Sequence, residues 1–84
     1  MTKELVIGVL GGMGPEATAN CFAKLIKNTP AGCDQEHLKI VIVSNPKIPD
    51  RTQAVLENGP SPVPALRQGV EALKHAGADF VIIP

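Results

Sequence analysis

Residues Leu5-Val6-Ile7-Gly8-Val9-Leu10 run without polar alternation straight into Gly11-Gly12-Met13-Gly14, and then into Pro15-Glu16-Ala17-Thr18. An unbroken apolar run of this length is what a strand covered on both faces of a parallel sheet requires. Gly11, Gly12 and Gly14 allow φ > 0 and leave no Cβ between the backbone and whatever lies above it. Pro15 suits the first helical position, and Glu16 complements the positive end of a helix dipole. The stretch therefore predicts a strand, a tight turn and a helix whose N-terminal N–H groups suit an anion. Two other readings stay open here. A turn of this kind occurs in any α/β domain without binding anything, and Gly12-x-Gly14-x-x-Ala17 meets the loose form of the dinucleotide fingerprint.

With 84 residues the chain forms at most one small domain and one core. Two phenylalanines and no Trp or Tyr leave that core to Val, Ile, Leu and Ala, the filling of parallel α/β layers. Acidic and basic residues balance at 8 each, with no basic run and no aromatic stacking platform, so nucleic acid is not expected as a partner. The longest apolar run is too short to span a bilayer and Met1-Thr2-Lys3-Glu4 enters a strand without a signal-peptide core, so no membrane association and a cytoplasmic location are expected. Cys21 and Cys33 are too far apart for a C-x-x-C motif, and no metal site is expected from them. Cys21 falls on an apolar helix stripe and is read as a reduced core thiol; Cys33 sits in a polar turn and receives no role. His37 and His75 are read as surface residues.

Further along, residues 15 to 28 predict an amphipathic helix with Cys21, Phe22, Leu25 and Ile26 inward and Lys24 and Lys27 outward, ended by Asn28-Thr29-Pro30-Ala31-Gly32. A polar connection through Asp34-Gln35-Glu36-His37 leads to a second buried strand, Leu38 to Val43. That strand stops at Ser44-Asn45-Pro46-Lys47-Ile48-Pro49, because two prolines cannot sit in a central strand. Asp50 is placed to cap a short helix over Arg51 to Glu57, closed by Gly59. Ser61 is expected to cap the next helix, with Val63, Leu66, Val70 and Leu73 as its buried stripe and Gly77 as its end. Asp79 to Pro84 predicts a third buried strand.

Strands alternating with helices imply an α/β fold: a three-layer parallel sheet with right-handed βαβαβ winding. Ligands collect beyond the carboxyl ends of such strands, here the Gly11–Pro15 turn, the Ser44–Thr52 loop and whatever follows Pro84. An unfinished sheet leaves an unpaired edge, so marginal stability or self-association is expected, unless the edge is simply short and tolerated.

The loop Ser44-Asn45-Pro46-Lys47-Ile48-Pro49-Asp50-Arg51-Thr52 is the second informative stretch. Two prolines stiffen it, and they deliver Arg51 to a helix start, where a cation is unfavourable with the dipole. A guanidinium there offers paired donors to a carboxylate, while the glycine-turn amides face it; the alternative is that Arg51 is solvated or pairs with Asp50 or Glu57. Dinucleotide binding wants an acid at the end of the second strand, where Ser44-Asn45 stand instead. A P-loop needs Lys-Ser/Thr after the glycines, and none follows.

Gly11-Gly12-Met13-Gly14-Pro15-Glu16-Ala17-Thr18, Asp34-Gln35-Glu36-His37, Asn45-Pro46-Lys47-Ile48-Pro49-Asp50-Arg51-Thr52 and Gly77-Ala78-Asp79-Phe80-Val81-Ile82-Ile83-Pro84 together resemble the aspartate/glutamate racemase family, most closely its aspartate racemases. The resemblance covers essentially the whole chain. It implies a cofactor-independent amino-acid racemase of two pseudo-symmetric α/β lobes, forming a homodimer, with residues 1–84 as the N-terminal portion of the first lobe. It implies an acidic amino-acid substrate and one cysteine from each lobe, one removing the Cα proton and the other returning one from the opposite face. The first of these is expected directly after Pro84 and the second in the other lobe, so no catalytic residue is expected within the chain, which is read as a truncated piece inactive alone. The substrate-binding residues implied are Gly12, Met13, Gly14 and Arg51, with Asn45 a weaker candidate. The alternatives carried beside it are a nucleotide-binding α/β module and a non-catalytic flavodoxin-like interaction domain.

Overall fold

The computed structural model describes residues 4–50, 55–56 and 58–84. The apolar run becomes strand β1, Val6–Gly11, and the helix after the glycine turn is α1, Pro15–Lys27. Strand β2 is Lys39–Ser44, helix α2 is Val63–His75 and strand β3 is Phe80–Ile82. All pairing is parallel and the strand order is β2-β1-β3, so β1 takes the centre and is the most buried of the three strands. Val6 lies opposite Lys39 and Gly11 opposite Ser44, while Ile7 to Val9 pair with Phe80 to Ile82. The expected winding is therefore present, with each strand boundary shifted by a residue or two.

Side chains alternate across a strand, which separates the two helices. A Cβ placed on Gly8 would meet Ala78 and Leu73, at the end of α2 and just after it, whereas one on Gly11 would meet Thr18 of α1. Residues 8 and 11 point to opposite faces, so α1 and α2 cover opposite faces and the architecture is three-layered.

The α2 face holds the core. Leu10, Leu73 and Ile48 are buried together, with Val41, Val43, Ala65, Leu66, Ala78 and Val81 packed against them. Gly69 is buried and allows the close approach, since a Cβ there would run into Leu10 Cδ1. This corrects the expected stripe of α2. Leu66 and Leu73 face the sheet as predicted, but Val63 and Val70 are exposed, because contact through Gly69 turns the helix so that Ala65 and Gly69 take the inner positions.

Helix α2 ends as a Schellman motif. Ala78 N–H donates to the Leu73 carbonyl and Gly77 N–H to the Lys74 carbonyl, both at 3.0 Å, with Gly77 at φ 96°. The turn delivers Asp79, whose carboxylate accepts the Val6 N–H at 2.7 Å while its own N–H donates to the Val6 carbonyl at 2.8 Å. Ser61 accepts the Val63 N–H at 3.2 Å, but the residue in the cap position is Pro62.

The α1 face is different. Thr18 is the buried residue of α1, and the expected inward stripe is open: Phe22 and Ile26 are exposed and Cys21 and Leu25 only partly covered. Contact at Thr18 holds the first turn of α1 against Gly11, while the rest of the helix borders open grooves of about 650 and 340 Å³. The helix closes through its own side chains, Asn28 Nδ2 donating to the Lys24 carbonyl and Thr29 Oγ1 to the Leu25 carbonyl. The connection beyond it forms a 3₁₀ turn at Asp34–Glu36, where the Glu36 carboxylate accepts the Gly32 N–H and the Cys33 thiol. His75 is exposed as expected, whereas His37 is half-buried beside Phe22 and Leu38. Of the short helix expected over Arg51 to Glu57, residues 55 and 56 are helical and the rest lies outside the described residues. Asn58, one residue ahead of Gly59, adopts left-handed backbone at φ 52°.

Candidate functional site

The loops leaving β1 and β2 are stitched together at the carboxyl rim of the sheet. Asn45 N–H donates to the Gly11 carbonyl at 2.9 Å, which carries the β1–β2 pairing one residue past the strands. Gly12 follows at φ 109°, with the backbone of Asn45 where its Cβ would be, so position 12 needs glycine for both conformation and space. Asn45 then turns its own loop, its Oδ1 accepting the Lys47 N–H at 2.9 Å.

Ile48 fixes the far end of that loop. It sits between Pro46 and Pro49, is 7% exposed and packs with Leu10 and Leu73, so a segment polar in sequence is rooted in the core. The result is a cleft of about 610 Å³ beyond the strand ends, walled by Met13 after β1, Pro46 to Asp50 after β2, Pro62 and Leu66 at the start of α2, and Ile83-Pro84 after β3. These are the three strand ends at which the winding rule places ligands. Asp50 is the ionisable residue of that wall among the described residues, and the rest is apolar or backbone.

The candidate residues separate into distinct positions. Met13 is 44% exposed and lines the cleft, and Gly14 is exposed at the N-cap of α1. Gly12 is buried, and its N–H is already engaged, donating to Thr18 Oγ1 at 2.8 Å. An amide held this way offers its shape to a ligand rather than its proton, which narrows the amide ring expected at the turn. Arg51 lies outside the described residues; its neighbour Asp50 shares the cleft with Met13. Asn45 is half-buried, beside the turn.

Both cysteines stand elsewhere. Cys21 is a free thiol on the groove along α1, and Cys33 is a free, exposed thiol ahead of β2, at the end of that strand away from Asn45. Among the described residues no group of three His, Cys, Asp or Glu side chains is placed to hold a metal ion, and no helix is long and apolar enough to cross a membrane.

Two residues that matter here were not singled out from the sequence. Thr18 heads the series Thr18, Cys21, Phe22, Leu25, so a polar residue at the first position of an apolar stripe was the available signal. Ile48 is an apolar side chain in a loop of prolines and polar groups, which marks a loop that returns to the core.

A solved structure and a family model match this fold. The aspartate racemase of Picrophilus torridus superposes with a TM-score of 0.88 at 40% sequence identity, over 94% of this chain and 34% of that one. The chain thus spans about a third of the length of that structure. Residues 10–84, from the end of β1 to beyond β3, match the Asp/Glu/hydantoin racemase family, and the chain belongs to that family.

Proposed function

We propose that this chain supplies the substrate-gripping rim of a cofactor-independent racemase that interconverts the L and D forms of an acidic amino acid. The observation that carries the proposal is the stitched rim itself. In a chain of the racemase family, the glycine turn and the proline loop are locked to one another and open on a single cleft beyond the strand ends.

Removing the α proton of an amino acid places negative charge on Cα and the adjoining carboxylate, so a site for it needs a base and a stabiliser of that charge. On this reading Arg51 pairs with a substrate carboxylate through its planar donors, and Met13 and Gly14 close over the other side, with Gly12 setting the shape of the turn. Two thiols flank Cα. One, as thiolate, takes the proton from one face, and the other, as thiol, gives a proton to the opposite face, so each turnover exchanges their protonation states without any external reagent. Neither Cys21 nor Cys33 borders the cleft, so the proton-moving pair comes from a cysteine-bearing region partnered with this one, in a two-lobed homodimeric enzyme. Pyridoxal phosphate has no part in such a scheme.

The test is Cα exchange. The 84-residue chain incubated with L- or D-aspartate in deuterated water is expected to leave Cα–H intact. A chimera in which it replaces the corresponding part of the Picrophilus torridus aspartate racemase is expected to exchange it and to interconvert the enantiomers. Exchange by the chain alone would remove the claim that the thiols lie elsewhere. A folded but silent chimera would remove the racemase reading.

A further inference from the structure

Thr18 sits under the glycine turn, 4% exposed, and touches three of its residues. Its Oγ1 accepts the Gly12 N–H at 2.8 Å and lies 3.2 Å from the Gly14 carbonyl, to which it donates. A Cβ added to Gly11 would collide with the same side chain, so the strand end rests directly on it. A hydroxyl is the small group that can accept and donate at once. Here it joins the residue before Met13 to the residue after it, and Met13 itself is left pointing at the cleft.

We infer that Thr18 is a positioning residue: its hydroxyl clamps Gly12 to Gly14 and so fixes the direction in which Met13 and the Gly14 backbone face a bound substrate. The inference rests on the proposed use of this turn as a substrate wall, and it assigns the turn's geometry to a buried side chain rather than to the glycines alone. Gly12 at φ 109° is the flexible part, since glycine favours no single conformation. The clamp selects one conformation before any ligand arrives, and a wall set beforehand spares the ligand the ordering cost. Valine keeps the shape of threonine and loses both bonds, while serine keeps both bonds and loses only the methyl group.

The experiment uses the 84-residue chain in its Thr18→Val and Thr18→Ser forms, followed by amide hydrogen exchange and by the Met13 and Gly14 amide signals during titration with L-aspartate. Val9, central in β1 and fully buried, reports global opening in the same samples. Thr18→Val is expected to speed exchange at Gly12 by roughly tenfold or more with Val9 unchanged, the scale of losing one buried hydrogen bond, and to abolish the L-aspartate response at Met13. Thr18→Ser is expected to restore both. Unchanged Gly12 exchange in Thr18→Val, or acceleration only in step with Val9, would overturn the clamp, because a merely structural residue moves both amides together. If Thr18→Val does not fold, Thr18→Ser decides: retained Gly12 protection supports the clamp and lost protection overturns it. Absence of any L-aspartate response in the unmodified chain would count against the substrate reading of the rim, while Gly12 exchange still decides the role of Thr18.

Discussion

The two faces of the sheet are made from similar side chains and end up in different states. On one, Leu10, Leu73 and Ile48 close into a core against α2, and Gly69 lets helix and strand approach until Leu10 fills the gap. On the other, Val9 is fully buried and Thr18 of α1 lies tight against Gly11, but farther along the helix Phe22 and Ile26 stay about two-fifths exposed, at 40% and 44%. Hydrophobic content therefore does not distinguish the two faces. What separates them is where the small residue at the close contact lies: Gly69 is in mid-helix on the α2 side, whereas Gly11 is at the strand end on the α1 side, under the first turn of the helix. Close packing at the middle of a helix seats its whole length, whereas close packing at one end seats that end.

The sharpest way to break the comparison is to open the dense face. Leu73→Ala removes a fully buried side chain from the core beneath the last turn of α2 and is expected to destabilise the chain by about 2–5 kcal/mol in urea unfolding. Small domains hold little stability in reserve, so a fraction already unfolded in buffer is the expected outcome. A loss below about 1 kcal/mol would mean that the α2 face is no denser than the other.

Next in size is the single tight point of α1. Gly11→Ala drives a methyl group into Thr18 Oγ1 and Cβ, with the strand on one side and the helix on the other, so neither yields easily. A cost of about 1–3 kcal/mol is expected from overpacking of this kind. Thermal melts of Gly11→Ala and of the double variant Gly11→Ala/Thr18→Ser would check the cause, since the smaller serine should recover part of the loss. Smaller again is Gly77→Ala, at φ 96° but with open space around its Cβ, expected to cost about 1 kcal/mol through conformation alone.

The contrast also explains how much could be read from the residues. The parallel winding and the helix stop at Gly77 follow from local rules: the apolar run 5–10, the crossover helices and a glycine beyond the last periodic residue. The helix faces were legible only as stripes, because periodicity gives the angle of an apolar face and not the partner that meets it. Val70 and Gly69 are neighbours in sequence, and which of them turns inward is decided by Leu10, far outside the reach of any helical periodicity. The rim was half legible. The glycines and prolines announced two restrained loops, but the bonds joining them, Asn45 to Gly11 and Thr18 to Gly12, run between residues whose spacing carries no signal. Arg51 lies outside the described residues, so its place opposite Met13 stays with the proposal and its assay.

The smallest effect is the most discriminating. Phe22→Gln and Ile26→Lys replace apolar side chains on the outer half of α1 with residues of equal or better helix propensity. If that half is only partly seated on the sheet, as the exposure of both residues and the groove beside them indicate, each change removes only part of a core side chain's buried area and the unfolding free energy should move by no more than about 1 kcal/mol. The same residues buried to the depth of Leu73 would be worth about 1.5–3 kcal/mol apiece. Urea melts at two protein concentrations separate the cases: a shift of about 1 kcal/mol or less that does not depend on concentration keeps the outer half of α1 only partly seated. A loss of about 2 kcal/mol in dilute solution would seat α1 along its whole length and erase the difference between the two faces.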